Sequence, residues 1–362
     1  MKITITKDAL INILNAVGGS VKANSSLPIL STVLIDAKSD GNLSMRTTNS
    51  EMELIATVAA KVQKAGSVAL SHAALLRIAN LTDADICINV SKSRASVTAS
   101  KSKFGLPTFN AGEFPGATVL PNAGEPLLLN AQQFFDALKS AKWSMRKPGE
   151  RPPLDGINLE VRDGSITVIS TNGHCATITN LGETSAVDAN VTLPYNVVNE
   201  LVRCRCDSES EITIWLDERR VKFALPNGTE MNSAIHDTRY PNWRQVIPTA
   251  VGEPVEVNRK RLILGLQRLL VAASDNDRAA LMRFNPGVLE LSIAAEGREA
   301  KDQIEVKCDI QDRYINLNIE YFLAALGSVN DEAVTIVFRD ELNALEIKTA
   351  NGLFIIMPVR KQ

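Results

Sequence analysis

The residue types able to do chemistry in this chain are few and scattered. The densest group is Thr171-Asn172-Gly173-His174-Cys175, which sets a thiol beside an imidazole. Residues adjacent in sequence point to different faces of a strand or turn, whereas a nucleophile and its base are neighbours in space. An Asn-Gly turn whose histidine hydrogen-bonds a nearby loop is the simpler account. A hydrolase built on Cys175 and His174 is the competing reading, and it lacks a third group to orient the base. Cys204-Arg205-Cys206 is the one close pair among five cysteines. No second Cys or His pair stands at zinc spacing, so no metal is expected. Acidic pairs such as Glu51/Glu53 and Asp83/Asp85 alternate along strands or lie in turns, and nothing marks them as acid–base partners. The patterns G-x-x-x-x-G-K-S/T, G-x-G-x-x-G and H-E-x-x-H are absent. The expectation is a binding protein with no catalytic residues and no cofactor.

The bulk numbers agree with a folded chain of two or three domains. It has 362 residues, 45% hydrophobic and 22% charged, with a net charge of −2. That balance gives no overall pull toward polyanions, so any basic surface must come from uneven distribution. No apolar run reaches the length of a membrane span. The charged start, Met1-Lys2-Ile3-Thr4-Ile5-Thr6-Lys7-Asp8, is unlike an export signal. Scattered, odd-numbered cysteines suit a reducing cytoplasm.

The elements that carry these residues repeat three times. Segments starting at Met1, Glu125 and Glu253 each alternate apolar and polar positions, then switch to apolar spacing of three and four. Each therefore reads as a strand running into an amphipathic helix. A second trio, around Leu70, Leu193 and Leu317, repeats the pattern at intervals of 123 and 124 residues. Between the two helices of each copy lies a hairpin whose turn glycines, Gly41, Gly164 and Gly287, are 123 apart. The pattern predicts an α+β protein of three similar domains, 1–123, 124–249 and 250–362. Each should set two helices against antiparallel sheets.

Positive charge gathers near the first helix of the later copies. Segment 130–151 carries Lys139, Lys142, Arg146, Lys147 and Arg151, and segment 258–278 carries Arg259, Lys260, Arg261, Arg268 and Arg278. Lys7, Lys22, Arg77, Arg203 and Arg205 supply thinner charge elsewhere. Such bases read either as solvated helix faces or as a surface turned toward nucleic-acid phosphates, which would be sequence-independent and salt-sensitive. Aromatic residues are only 5%, too few for a single-strand stacking platform, so duplex is the better partner.

Four motifs, Leu27-Pro28-Ile29-Leu30, Thr171-Asn172-Gly173-His174, Tyr240-Pro241-Asn242 and Met357-Pro358-Val359-Arg360, join the triple repeat. Together they make the chain resemble the bacterial DNA polymerase III β subunit family, the sliding clamps, over essentially its whole length. The resemblance implies a head-to-tail homodimer, a closed ring of six domains with twelve helices lining the hole. At about 10 Å spacing, twelve helices close a circle ~38 Å across; one helix thickness less leaves ~28 Å, room for duplex DNA. The DNA-facing positions are then Lys7, Lys22, Arg77, Lys139, Lys142, Arg146, Lys147, Arg151, Arg203, Arg205, Arg259 and Arg268.

The resemblance also implies a hydrophobic pocket that takes short peptides from polymerase, clamp loader and repair proteins. Its positions here are Leu154, Thr171, Gly173, His174, Pro241, Val246, Tyr321, Ile355, Met357, Pro358, Val359 and Arg360. The chain departs from the family pattern at Cys175, Ala176 and Gln245, implying a wider, less positive pocket. Asn24 and Ala73-Ala74 stand where bases are common. At the ring interface the matching positions are Phe104 and Leu106 in the first domain and the small Ala272 and Ala273 in the third.

Overall fold

The computed structural model describes all residues except 24, 92, 118–123, 151, 184–187, 205–209, 275–276, 351 and 361–362. Three runs of elements follow one another in the same order, the first with one extra strand, β5. The first comprises β1 (Lys2–Ile5), α1 (Lys7–Val17), β2 (Thr32–Ala37), β3 (Asn42–Thr48), β4 (Met52–Ala59), β5 (Lys61–Lys64), β6 (Gly66–Ser71), α2 (His72–Asn80), β7 (Ile86–Ser91), β8 (Arg94–Ala99) and β9 (Ser102–Pro107). The second comprises β10 (Leu127–Asn130), α3 (Ala131–Ala141), β11 (Gly156–Arg162), β12 (Ser165–Thr171), β13 (Cys175–Glu183), β14 (Ala189–Pro194), α4 (Tyr195–Arg203), β15 (Glu211–Leu216), β16 (Arg220–Ala224) and β17 (Glu230–Ala234). The third comprises β18 (Glu253–Asn258), α5 (Arg259–Leu270), β19 (Ala279–Asn285), β20 (Val288–Ala295), β21 (Arg298–Glu305), β22 (Arg313–Asn318), α6 (Ile319–Gly327), β23 (Ala333–Phe338), β24 (Leu345–Lys348) and β25 (Gly352–Ile356).

Every strand-to-strand pairing is antiparallel, as the alternating sequence predicts. The helices start where a side chain can take an orphan N–H. Thr6 Oγ1 accepts from Ala9 N, Asn258 Oδ1 from Arg261 N and Asn318 Oδ1 from Glu320 N. The three hairpin glycines hold positive φ, 89° at Gly41, 73° at Gly164 and 76° at Gly287. That left-handed conformation is open to glycine at little cost, which accounts for the 123-residue recurrence.

The sheets cut across the repeat. One eight-stranded sheet runs β10-β15-β16-β17-β4-β3-β2-β6, and another β14-β11-β12-β13-β25-β24-β23-β18. Each joins four strands of one repeat to four of the next. The remaining strands form β5-β1-β7-β8-β9 and β21-β20-β19-β22. The chain accordingly divides into two compact units, Met1–Gln132 with Arg203–Ile235, and Gln133–Val202 with His236–Gln362. The second repeat is shared between them because its strands complete two different sheets.

Within the first unit, α1 and α2 pack on each other, with Leu10, Ile13, Leu14 and Val17 of α1 buried. Within the second, α5 lies on β21 and β20 and buries Leu262, Gly265, Leu266 and Leu269. A Cβ on Gly265 would come 2.9 Å from Leu291 Cδ1, so the glycine sets how closely α5 approaches the sheet. Backbone contact is tighter at Gly156, where a Cβ would stand 2.5 Å from the Leu193 carbonyl oxygen on the paired strand β14. A carbonyl held in a ladder cannot give way as a side-chain tip can. Gly156→Ala should therefore lower unfolding stability by about 2 kcal/mol, read as a shift of the urea midpoint at unchanged slope.

Candidate functional site

The Thr171–Cys175 turn is built by its own side chains. Asn172 Oδ1 accepts from His174 N at 2.8 Å and Cys175 N at 3.0 Å. The Thr171 hydroxyl donates to the Cys175 carbonyl at 2.7 Å and accepts from Gly173 N at 3.1 Å. Gly173 has φ of 90°, which a bulkier residue would adopt only with strain. The His174 ring lies nearly parallel to that of Tyr321 on α6, with centroids 6.3 Å apart.

The turn also anchors the chain beyond β25. Cys175 pairs with Ile356 and Ala176 with Ile355 across the β13·β25 ladder. Past the ladder, Met357 N donates to the His174 carbonyl at 2.8 Å, and Val359 N donates to the Asn316 carbonyl at 2.8 Å. Pro358 sits between these two donors and has no N–H of its own. The tail is fixed by its backbone, while Met357, Val359 and Arg360 keep their side chains exposed.

An apolar floor adjoins the turn. Leu154, Ile169, Ala176, Ile178, Tyr240, Ala344 and Ile355 form one buried cluster, with Trp243, Ile247 and Leu353 packed against it. The 3₁₀ turn Trp243–Val246 is held from outside. Arg244 stacks on the Trp243 ring at 4.2 Å and reaches both carboxylate oxygens of Glu160 on β11, at 2.6 and 3.2 Å. Pro241 and Val246 are exposed at its two ends. Leu342, 66% exposed, stands two residues from Ala344 in a loop whose Asp340 Oδ1 accepts from Leu342 N and Asn343 N.

All twelve expected pocket positions thus lie in one compact unit. Leu154 and Ile355 belong to the floor; Thr171, Gly173 and His174 form the turn, with Tyr321 and the 357–360 tail beside it; Pro241 follows Tyr240, and Val246 ends the 3₁₀ turn that Trp243 begins. Trp243, Ile247 and Leu353 join the floor without being among the expected positions, and Tyr240, quoted above only as part of a motif, joins it too. The aromatic pair at the Tyr240-Pro241-Asn242 motif is the signal that points to Tyr240 and Trp243.

The hydrolase reading fails here. Cys175 is 2% exposed, and burial pushes its thiol up to about 12, only partly opposed by a hydrogen bond with Asn172. A thiol so protonated near neutrality is a poor nucleophile.

The expected DNA-facing bases divide into two groups. Lys139 sits in the last turn of α3, Lys142 and Lys147 follow the helix, and Lys22 and Arg77 are exposed; none of these five makes an ion pair among the described residues. The others have partners or a different setting. Lys7 binds Asp83 at 2.8 Å. Arg259 donates to the carbonyls of Asp331 and Leu326 beyond and at the end of α6. Arg268 and Arg261 converge on Asp302 of β21. Burial pushes the Asp302 carboxyl up, but the Gln303 amide and the two guanidinium groups outweigh it and hold the carboxyl low. Arg203 closes α4 beside Cys204, 3.7 Å from its sulfur. Arg146 sits by the site turn: a Cβ on Gly173 would lie 3.5 Å from its Nη2. Arg151 and Arg205 lie outside the described residues.

The expected ring-interface positions also separate. Phe104 and Leu106 are half-buried on β9, which pairs only with β8 among the described strands. Ala272 is instead core, 4% exposed, and Ala273 packs partly against the same core. The apolar side chain that stands out at this helix end is Val271, 80% exposed. Val271 caps α5 with helical backbone, and the helical period there turns residue 271 outward and residue 272 inward.

The fold and the site have close relatives. Profiles of the DNA polymerase III beta subunit match in order: the N-terminal domain over residues 1–120, the central domain over 128–242 and the C-terminal domain over 244–359. The chain belongs to the DNA polymerase III beta subunit family. The beta sliding clamp of Pseudomonas aeruginosa is 25% identical, covering 99% of this chain and 100% of the relative. That of Chlamydia pneumoniae is 25% identical, covering 99% of each. Among solved structures, the P. aeruginosa DNA polymerase III subunit beta superposes with a TM-score of 0.94 at 24% identity over 100% of both chains. The Bacillus subtilis DNA polymerase sliding clamp gives 0.94 at 20% identity, again over 100% of both. These establish the three-domain clamp fold for this chain, a non-catalytic subunit type. No described helix is long and apolar enough to cross a membrane.

The burial of Cys175 is directly measurable. Alkylation of the native protein at pH 8 should label Cys87 and Cys308, both half-exposed, and leave Cys175 unlabelled until denaturant is added. Peptide mass mapping of the labelled digest reads this out.

Proposed function

We infer that the chain works as a DNA sliding clamp, a processivity factor that closes with a second copy around duplex DNA and carries polymerase and repair proteins by their peptides. The sheet arithmetic supports this most strongly. The set β1-β7-β8-β9 corresponds to β10-β15-β16-β17 and to β18-β23-β24-β25; the set β21-β20-β19-β22 corresponds to β4-β3-β2-β6 and to β13-β12-β11-β14. Two junctions of these sets form within the chain, β17·β4 and β25·β13. The third pair of edges, β9 and β21, can be joined only by another copy of the chain if the same junction is to recur. A heterologous contact of this kind, repeated once per copy, makes a closed ring when the rotation divides the circle.

The three domains, with boundaries near 124 and 250, are then the six segments of a two-copy ring. Of the expected DNA-facing bases, Lys22, Arg77, Lys139, Lys142 and Lys147, unpaired among the described residues, are the ones available to phosphates. Lys7, Arg259 and Arg268 would have to share theirs with internal partners. Such a thin, sequence-independent contact suits retention by enclosure, since tight phosphate binding would oppose sliding. A clamp that serves DNA replication works in the cytoplasm. No cofactor is needed for enclosure.

The peptide pocket is the apolar floor around Leu154 and Ile355, rimmed by His174, Val246, Met357 and Arg360. A flexible methionine and an aromatic pair give an adaptable surface for several partners, and Arg360 supplies a charge for a peptide backbone or carboxylate.

Two measurements test this reading. Loaded onto nicked circular duplex, the protein should remain bound in moderate salt and be lost when the circle is cut; equal retention on linear and circular DNA would reject enclosure. Met357→Ala and Val246→Ala should each weaken a polymerase-derived peptide by about tenfold, read by fluorescence polarisation, with the solution mass unchanged.

A further inference from the structure

The two internal junctions fix, residue by residue, how the open edges meet, and the sheet register then exposes a like-charge rung at the ring seam. This inference rests on the clamp reading. The N-cap positions Thr6, Asn130 and Asn258 align the first strand of each domain, so Ile86, Ile212 and Val334 are equivalent across the first ladder. Following the next two ladders makes Ser102, Thr229 and Gly352 equivalent. On the other side, Gly41, Gly164 and Gly287 align the hairpins, which makes Ile55, Ile178 and Lys301 equivalent. In the internal junctions Ile55 faces Glu230, and Ile178 faces Leu353.

The same geometry points to Lys103 of one copy facing Lys301 of the other, and we propose that this lysine pair makes the seam the weakest of the three junctions. Phe104 then faces Ala300, Gly105 faces Glu299 and Leu106 faces Arg298. Side-chain parity supports the register. Phe104 takes the place of Met231 and Phe354, which are 0% and 3% exposed inside their junctions. It meets Ala300, which already packs against the third-domain core. A one-residue slip would set Phe104 against Lys301 instead. Lys103 and Lys301 are both exposed, and neither makes an ion pair among the described residues. Residues directly opposite in an antiparallel pair stand close enough for like charges to repel, whereas Glu299 lies only on the diagonal from Lys103.

The test is a charge-swap cycle on the full chain, with dimer dissociation followed by sedimentation at low and high salt. Lys103→Glu and Lys301→Glu should each tighten the dimer by about tenfold at low salt, counting both seams, and the double variant should return to near the parent value. High salt should compress these differences. A second measurement uses disulfide trapping: Gly105→Cys with Glu299→Cys should cross-link across the seam, and Gly105→Cys with Arg298→Cys should not. A dimer that neither single swap tightens, or that cross-links only in the shifted pair, overturns the register and leaves the ring standing. A parent chain that stays monomeric at every concentration and salt overturns the ring itself.

Discussion

The backbone hydrogen bonds of the sheet edges govern this molecule. A strand edge presents a row of donors and acceptors that must find partners or face water. Each domain carries two sets of four strands, the first domain adding β5 outside β1, and each set ends on an edge that the neighbouring domain can complete. Within the chain β4 takes β17 and β13 takes β25, so two eight-stranded sheets form from parts far apart in sequence. This is why the compact units do not coincide with the repeats: the middle domain gives half of its strands to each side. It is also why β9 and β21 are left over, and why a second copy is the natural partner.

The site depends on one of those junctions. Ala176 and Ile355 pair across β13·β25, and both enter the apolar floor. The ladder's end delivers Met357 to the His174 carbonyl, and the next donor, Val359, is taken by Asn316. A surface assembled this way has fixed backbone and freely placed side chains, which fits recognition of short segments better than covalent chemistry. The buried, protonated Cys175 adds to that conclusion, because the one thiol beside a histidine is structural.

Electrostatics take a secondary part. Several bases that look available in sequence are engaged internally, Arg259 on the carbonyls of Asp331 and Leu326 and Arg261 with Arg268 on Asp302. Of the expected DNA-facing bases, those without an ion pair among the described residues are mostly lysines on and after α3. An exposed lysine makes a weak, screened contact with phosphate, and enclosure does not require more.

Strand–helix order, the hairpin glycines and the absence of catalytic patterning were legible in the sequence, because each is a local matter of periodicity and turn conformation. The motif residues could be picked out in the sequence as well, and so could the aromatic pair near Tyr240, whereas the floor as a whole could not: Ile169, Ala344 and Leu353 join it only once distant strands pair. Ala272 and Val271 show the limit well. Both are small apolar residues at the end of α5, and only the helix's rotation against its sheet decides that the first is core and the second exposed. Arg146 likewise comes beside the site turn because the chain after α3 folds back on β12 and β13. Local pattern tells which face of an element is apolar; which element lies against that face is set by pairings such as Asn232 with Glu53, 179 residues apart, and these exist only in the folded chain.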